Sequence, residues 1–343
     1  MVIEAKESRL DTLRAEMLPA IEAALQAEVE KAGGEGTGEL RAMLRYHLGW
    51  EGQGAGAKAQ GKRIRPLLVL LSAAAAGGDW REALPAAAAV ELLHNFSLIH
   101  DDIQDKSDQR RGRPTLWTQW GIAQAINAGD SLFALAHDAL KGLRERSLAV
   151  YADSVEVLPL TSLKLTQGQY MDLAFESREQ VSIEDYWQMV GGKTAVLLAS
   201  CAKLGAIAAG AEAGRVEALR SFGEKLGLAF QAHDDVLGIW GAESQTGKSN
   251  HSDLLSRKKS LPVLYGLERG GEFAGLWASW DGSAETVGEL AAALEADGAK
   301  QRAIEMVEEL TREALGALER AEAEEEAGEA LKELGAELVR REF

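Results

Sequence analysis

The chain has 343 residues, enough to bury a large core, and 46% of them are hydrophobic, which marks a globular protein rather than a disordered one. Its 54 acidic and 37 basic residues leave a formal charge of −17, which argues against nucleic acid and anionic membrane surfaces as partners. The single cysteine, Cys201, forms no internal disulfide and fits a reducing compartment. In chain order, the start is charged from Glu4 and lacks the apolar stretch of a secretory signal. Leu10, Leu13, Met17, Ile21 and Leu25 then recur three or four apart, the period of an amphipathic helix. A Gly-rich segment interrupts from Gly33 to Gly61. Two nearly all-apolar segments follow at 66–77 and 85–100, the pattern of helices enclosed in a large bundle. The longest apolar runs, such as 67–76, fall short of the roughly 18 residues that suggest a membrane span, so a cytoplasmic protein without stable membrane insertion is expected.

Further helices are expected around 122–143, 155–177, 183–209, 213–240 and 254–268, and Leu331, Leu334 and Leu338 predict an amphipathic final helix. Proline is rare and no series of alternating strands is evident, so the expected class is all-α. No break in composition divides the chain. The expectation is one domain over 1–343, with an N-terminal helix and Gly-rich segment at 1–60, a catalytic core at 61–270 and acidic helices at 271–343.

Asp101, Asp102 and Asp105 form a DDxxD array at the end of the second apolar segment. If the helix continues through them, Asp101 and Asp105 lie on one face, one turn apart. Two such charges near 4 Å repel by about 4 kcal/mol at an effective dielectric near 20, a cost that a divalent cation removes. Oxygen-only ligands favour a hard ion, Mg²⁺ first and Mn²⁺ second, which shares its sphere with substrate phosphates; a solvated acidic turn is the alternative. Asp234 and Asp235 follow a second apolar helix roughly 130 residues on. A second acidic wall facing the first would hold a diphosphate through several ions. The spacing is not that of an EF-hand.

Phosphate also needs protein cations, bidentate from arginine and point-like from lysine. Candidates are Lys62, Arg63 and Arg65, then Arg110 and Arg111, Lys193, Lys248, and Lys258 with Lys259. Neither glycine–lysine pair is a Walker loop, because Trp187 and Ala242 stand where the earlier glycine is required. GQGAGA (52–57) follows no strand and is not a dinucleotide fingerprint.

These pieces, in this order and spacing, resemble the trans-isoprenyl diphosphate synthases, which include farnesyl and geranylgeranyl diphosphate synthases. The likeness runs through GKRIRP (61–66), LHNFSLIHDDIQDKSDQRRGRPT (93–115), NAGDSLFALA (127–136), GQYMD (168–172), GGKTA (191–195), FQAHDD (230–235) and GKSNHSDLLSRKKSLP (247–262). It implies an isoprenoid synthase-type helical bundle around a deep central cavity, usually as a homodimer, with magnesium between the two aspartate motifs. Residue by residue, it implies metal binding by Asp101, Asp102, Asp105, Asp234 and Asp235. The allylic diphosphate would be held by Arg110, Lys193, Gln169, Lys248 and Lys258. Isopentenyl diphosphate would be held by Lys62, Arg65, His94 and Arg111. Lys193, Gln231 and Asp101 would act at the reaction centre, with Asp172 as a nearby polar support.

The implied reaction is head-to-tail condensation. Breaking an allylic C–O bond leaves a carbocation and a departing diphosphate, which metal ions and cationic side chains stabilise. A dry apolar cavity keeps water from quenching the cation. Three positions depart from the family pattern: Gly238 replaces the last aspartate of the second motif, Gln60–Gly61 replaces paired glycines, and Arg257 replaces a glycine before Lys258. On a helix, Ser97 lies one turn below Asp101, and Phe96 lies five residues below, roughly 7.5 Å along the axis. Their size would set the floor for the growing chain, and because only Phe96 is bulky the expected product is C20, with C15 as the alternative. A terpene cyclase would leave Lys62, Arg65 and His94 without a purpose, and a non-catalytic partner subunit would not need an intact first motif.

Overall fold

The computed structural model describes residues 8–241 and 251–339. Among them almost all regular structure is helical, as the composition predicts. Backbone packing divides the chain into two compact units. One runs up to Ser162 and takes in Ser200–Leu219 and Ala321–Leu331; the other holds Leu163–Ala199, Arg220–Arg320 and the chain from Lys332.

The first unit opens with α1 (Arg9–Glu30), where the Ser8 side chain accepts from the Asp11 backbone N–H and so starts the helix. Its buried face is Leu10, Met17, Ile21, Leu25 and Val29, the face expected from the spacing. After α2 (Gly38–His47) and the short α3 (Ala57–Gln60) come the two apolar helices, α4 (Ile64–Ala75) and α5 (Leu84–Gln104). Leu67 to Leu71 are fully buried, and so is most of Ala86 to Leu93. Burying apolar area at about 25 cal/mol per Å² makes these two segments the core of the unit. Short α6 (Leu116–Trp120) leads into α7 (Ile122–Ala139), which lies along α5 and gives way to a 3₁₀ turn (Leu140–Glu145) before the predicted end at 143.

One piece of β structure was not expected. Gln109–Arg110 pairs antiparallel with Arg113–Pro114 around Arg111 and Gly112, whose φ values are 53° and 74°. Two successive positive φ angles are those of a tight hairpin turn whose twist matches the strands it joins. Two-residue strands lie below the reach of any alternation pattern.

The second unit is carried by α8 (Leu148–Ser177), which begins seven residues before its predicted start and contains Pro159, and by α9 (Ile183–Val190), α10 (Val196–Ala208) and α11 (Ala213–Trp240). α8, α10 and α11 each begin or end in the first unit. The predicted helix 183–209 is interrupted: Gly191–Ala195 forms a π-helical turn in which the Val196 N–H reaches Gly191 O. The run 183–208 is long and apolar enough to cross a bilayer, yet 67% of its apolar window is buried within the protein. The predicted helix 254–268 is two pieces, α12 (Ser252–Leu255) and α13 (Leu261–Arg269), parted by Arg257 at φ 53°. α14 (Glu272–Ser279), α15 (Val287–Ala296) and α16 (Ala299–Arg320) follow. Ile239, Leu254, Val263, Phe273 and Leu294 form a buried cluster there. α17 (Glu325–Val339) ends the described chain and buries Leu331, Leu334 and Leu338 as the spacing predicts.

Candidate active site

In the first unit the basic residues separate into anchors and candidate ligand contacts. Arg63 is an anchor: its side chain is 2% exposed and donates to Glu22 (2.6 Å), Glu91 (2.9 Å) and the Leu48 carbonyl (3.2 Å). That network holds Arg63 at φ 48°, from which α4 departs. Lys62 on one side is exposed and Arg65 on the other half-buried. Glu91 was missed in the sequence, although a lone glutamate inside an all-apolar run was a visible signal. It also accepts from Asn95 (3.0 Å).

The three arginines of RRGR perform three tasks. Arg110 closes on Asp102, Nε standing 2.9 and 3.0 Å from the carboxylate oxygens and Nη2 2.8 Å from Oδ1. Arg111 donates Nη1 to the carbonyls of Ala59 (2.8 Å) and Gln60 (2.7 Å). Arg113 donates to the carbonyls of Gln53, Tyr46 and Glu51 and lies 3.9 Å above the Tyr46 ring centroid. The Gly-rich segment is therefore strapped to the hairpin by guanidinium–carbonyl bonds.

This concentration of cations has an electrostatic signature. His94 is held well below the usual histidine range, first by burial and then by Arg65, Arg111 and Arg110. Burial, with Arg110, Arg111, Arg63 and Arg113 nearby, brings His47 down to about 3. Burial also lowers Arg65 and Arg111 from the ordinary guanidinium value. The Arg65 Nε and the His47 Nε2 are enclosed with no protein hydrogen-bond partner. An enclosed guanidinium donor on Arg65 and a concentrated positive potential are the features of a candidate anion receptor. Lys62, Arg65, His94 and Arg111 thus lie in one unit, supplied by the turn before α4, by α4, by α5 and by the hairpin. His47 was not anticipated.

On α5, Asp101 is half-buried and Asp105 exposed at the helix end, where the Asp105 N–H bonds Asp101 O (2.8 Å). Asp102 faces elsewhere: its side chain is 3% exposed, and burial raises its pKa against the pull of Arg110. Phe96 packs at a tilt against Phe133 of α7 (5.1 Å between centroids) and edge-on against His100 (4.7 Å), and Ser97 Oγ donates to the His94 carbonyl. Phe133 was not singled out in the sequence.

In the second unit, Gly168 of α8 meets Gly192 of the π-turn. A Cβ on Gly168 would stand 2.1 Å from the Lys193 nitrogen, and one on Gly192 would stand 3.0 Å from Gly168 Cα. Bare glycines are what allow the two backbones this approach. The contact fixes Lys193, whose ammonium pairs with Asp172. Thr194 Oγ1 donates to Gln231 (3.0 Å), and Gln231 Nε2 donates to Asp235 (3.1 Å). Gln169, one residue after Gly168, is half-buried.

Asp235 is a hub. Besides Gln231 it accepts from Tyr186 Oη (2.7 Å), Lys258 Nζ (3.1 Å) and the Leu261 N–H (3.0 Å), and its side chain is 1% exposed. Asp234, its neighbour on α11, is exposed. Lys258 also lies 3.5 Å from Asp253. Burial works against its charge, but Asp235, Asp253 and Asp234 outweigh burial and keep its pKa above the lysine norm. Lys259, next to it, donates to the Phe175 carbonyl near the C-terminus of α8 and so serves as a helix-end cation. Gly238 has no room for the aspartate of the family pattern, since a Cβ there would stand 2.5 Å from the Asp253 carboxyl carbon. Lys248 lies outside the described residues.

The acids thus divide by exposure. Asp101 is half-buried and Asp105 and Asp234 are exposed, whereas Asp102 and Asp235 are buried with their oxygens bonded to protein donors. Carboxylate oxygens are the ligand type that suits a hard divalent cation. Among the described residues no three acidic, histidine or cysteine side chains form a ready-made cage. Magnesium takes one or two carboxylates together with substrate phosphates, so a site of this kind fits it.

The model of the polyprenyl synthetase family matches residues 55–296, from the Gly-rich strap to α15. The chain belongs to the polyprenyl synthetase family. It is a trans-prenyltransferase and a short-chain prenyl diphosphate synthase, as the motifs imply. The synthetase is 44% identical over 243 residues to a (2E,6E)-farnesyl diphosphate synthase of Mycobacterium tuberculosis, covering 70% of this chain and 67% of the relative. It is 42% identical over 267 residues to a geranylgeranyl diphosphate synthase of the same organism, covering 77% and 73%. The crystal structure of a polyprenyl synthetase from Streptomyces coelicolor superposes with a TM-score of 0.86 at 35% identity, over 96% of this chain and 99% of that one.

Proposed function

We propose that this polyprenyl synthetase condenses isopentenyl diphosphate head-to-tail with an allylic diphosphate in a Mg²⁺-dependent reaction, giving geranylgeranyl diphosphate. The observation that carries this reading is the basic pocket beside the first acidic motif. The Arg65 and Arg111 guanidinium groups are gathered in a setting whose burial works against their charge, partly offset by Glu91, and burial together with their positive field lowers His94. A ligand bearing two phosphates relieves that field. Lys62 extends the same receptor for isopentenyl diphosphate.

On this reading Asp101 and Asp105 of α5 and Asp234 of α11 would hold the metal. When bound, the ion supplies Lewis-acid stabilisation of the departing diphosphate. Asp102 instead aims Arg110 at the allylic diphosphate, and Asp235 aims Lys258 and Gln231. Lys193 and Gln169 complete the grip, with Asp172 orienting Lys193. The allylic C–O electron pair leaves with the diphosphate, the isopentenyl double bond attacks the allylic cation, and a proton departs to restore an alkene.

The C20 product rests on the floor below Asp101. Phe96 backed by Phe133 closes one position, while the small Ser97 leaves the other open. The similar proteins carry both farnesyl and geranylgeranyl names, which keeps C15 as the second reading. A homodimer in the cytoplasm is the assembly proposed. The dimer is supported by large apolar side chains left exposed: Ile122 and Ile126 on α7, and separately Leu160, Leu163 and Tyr170 along α8.

One incubation tests the reading: Mg²⁺ and labelled isopentenyl diphosphate with dimethylallyl, geranyl or farnesyl diphosphate. Incorporation with all three and a C20 end point is expected. No incorporation with any primer would overturn the function, and a C15 end point would overturn the product. Phe96→Ala and Phe133→Ala should each lengthen the product; unchanged distributions would overturn the floor.

A further inference from the structure

Arg257 stands where a glycine is the less costly choice. Its φ of 53° lies in the left-handed region, where a Cβ crowds the following carbonyl. Its side chain is tied down at three points. The guanidinium lies 5.6 Å from the Trp277 ring centroid and 5.4 Å from that of Trp280, and Nη2 donates to the Trp280 carbonyl. Both distances fall within the range of cation–π attraction. The anchor is firm: Trp277 and Trp280 stack on each other (6.1 Å, 28°) and pack against the cluster of Ile239, Leu254, Val263 and Phe273. The Trp280 indole N–H is itself held by Thr286 (3.0 Å). The next residue is Lys258, whose N–H bonds Asp253 O (2.9 Å) and whose ammonium meets Asp235. Lys259 is fastened to Phe175. Three consecutive side chains thus tie the segment between α12 and α13 to α14, α11 and α8.

We propose that Arg257 is a positioning residue for the reaction, a latch that fixes this segment on the Trp277–Trp280 stack so that Lys258 presents its ammonium to the allylic diphosphate at one height. The proposal rests on the reading of Lys258 as a diphosphate contact. Arginine here exchanges the backbone freedom of glycine for an anchor outside the polar site. Loss of the latch lets the segment move, and it weakens the allylic diphosphate grip without touching the isopentenyl site.

Arg257→Gly separates the latch from the strain, because glycine adopts φ 53° freely. In steady-state assays of the full chain with Mg²⁺, this variant should raise KM for the allylic diphosphate roughly tenfold, on the scale that a small misplacement of a supporting contact costs. KM for isopentenyl diphosphate and Tm should stay at wild-type values. Trp277→Ala should move the same KM in the same direction, and Arg257→Lys should restore part of the loss. Combined with Lys258→Met, Arg257→Gly should add nothing further, since the latch acts through Lys258. If Lys258→Met raises the allylic KM and Arg257→Gly does not, the latch is wrong while the reading of Lys258 stands. If Lys258→Met leaves that KM unchanged, the reading of Lys258 is wrong and the latch falls with it. A drop in Tm for Arg257→Gly with unchanged KM would reduce Arg257 to a structural tie and overturn the proposal.

Discussion

Arg110 Nε lies 2.9 and 3.0 Å from the two carboxylate oxygens of Asp102, so the middle acid of the first motif is engaged by protein. Its neighbours at the same helix end are more accessible, Asp101 half-buried and Asp105 exposed. Three aspartates in five residues therefore sit in different surroundings. Asp101→Ala should abolish turnover while leaving Tm close to wild type. Asp102→Ala should cost about 1–2 kcal/mol of stability, because a buried pair loses one partner while Arg110 keeps access to water. It should also raise KM for the allylic diphosphate. Thermal melts and steady-state kinetics on both variants test the division, and matching profiles would refute it.

The second acidic pair divides more sharply. Asp235 accepts from Tyr186, Lys258, Gln231 and the Leu261 N–H, so its removal strands two buried donors, Tyr186 and the Leu261 N–H, and releases two part-buried ones. Asp235→Ala should cost about 3–5 kcal/mol and lower Tm on the order of 10 °C. Asp234→Ala should melt like the wild type and yet lose most of its activity. A normal melting curve for Asp235→Ala would show that the hub does not support the fold.

The glycine contact beneath Lys193 is equally open to test. A methyl group on Gly168 would be driven to 2.1 Å from the Lys193 nitrogen, which is backbone and has no side-chain freedom to yield. Gly168→Ala should cost about 1–3 kcal/mol through overpacking and displace Lys193 from Asp172. A raised allylic KM together with a lowered Tm is the expected pair of results. Wild-type values for both would mean that α8 and the π-turn separate without consequence.

Acid sensitivity should trace in part to His47. In the folded chain its pKa is depressed to about 3 from an ordinary 6.5, by burial and by Arg110, Arg111, Arg63 and Arg113. Below pH 6.5 the unfolded chain therefore takes up a proton that the folded chain refuses, so stability is full above that pH and falls as pH drops toward 3. Denaturant melts of wild type and His47→Gln at pH 7.5, 6 and 5 should show a shallower decline for the variant. Parallel declines would exclude His47 as a source of the loss.

Much of the molecule was legible in its sequence. The period of Leu10, Met17, Ile21 and Leu25 placed the first helix and its buried face, and the apolar runs at 66–77 and 85–100 announced enclosed helices, because hydrophobic spacing is set by helix geometry and needs no partner to be read. The acidic and basic clusters likewise stood out as candidate residues for phosphate and a hard cation. Tertiary contacts decided the rest. Which of two adjacent aspartates meets solvent depends on helix rotation and on where Arg110 and Lys258 arrive from, and these are properties of the packed chain. The same is true of Arg63, which reads like Lys62 and Arg65 in GKRIRP yet is buried between Glu22 and Glu91. A charged side chain carries no mark of its partner in the sequence. Only folding supplies the carboxylates that make Arg63 an anchor and leave the Arg65 Nε enclosed without one.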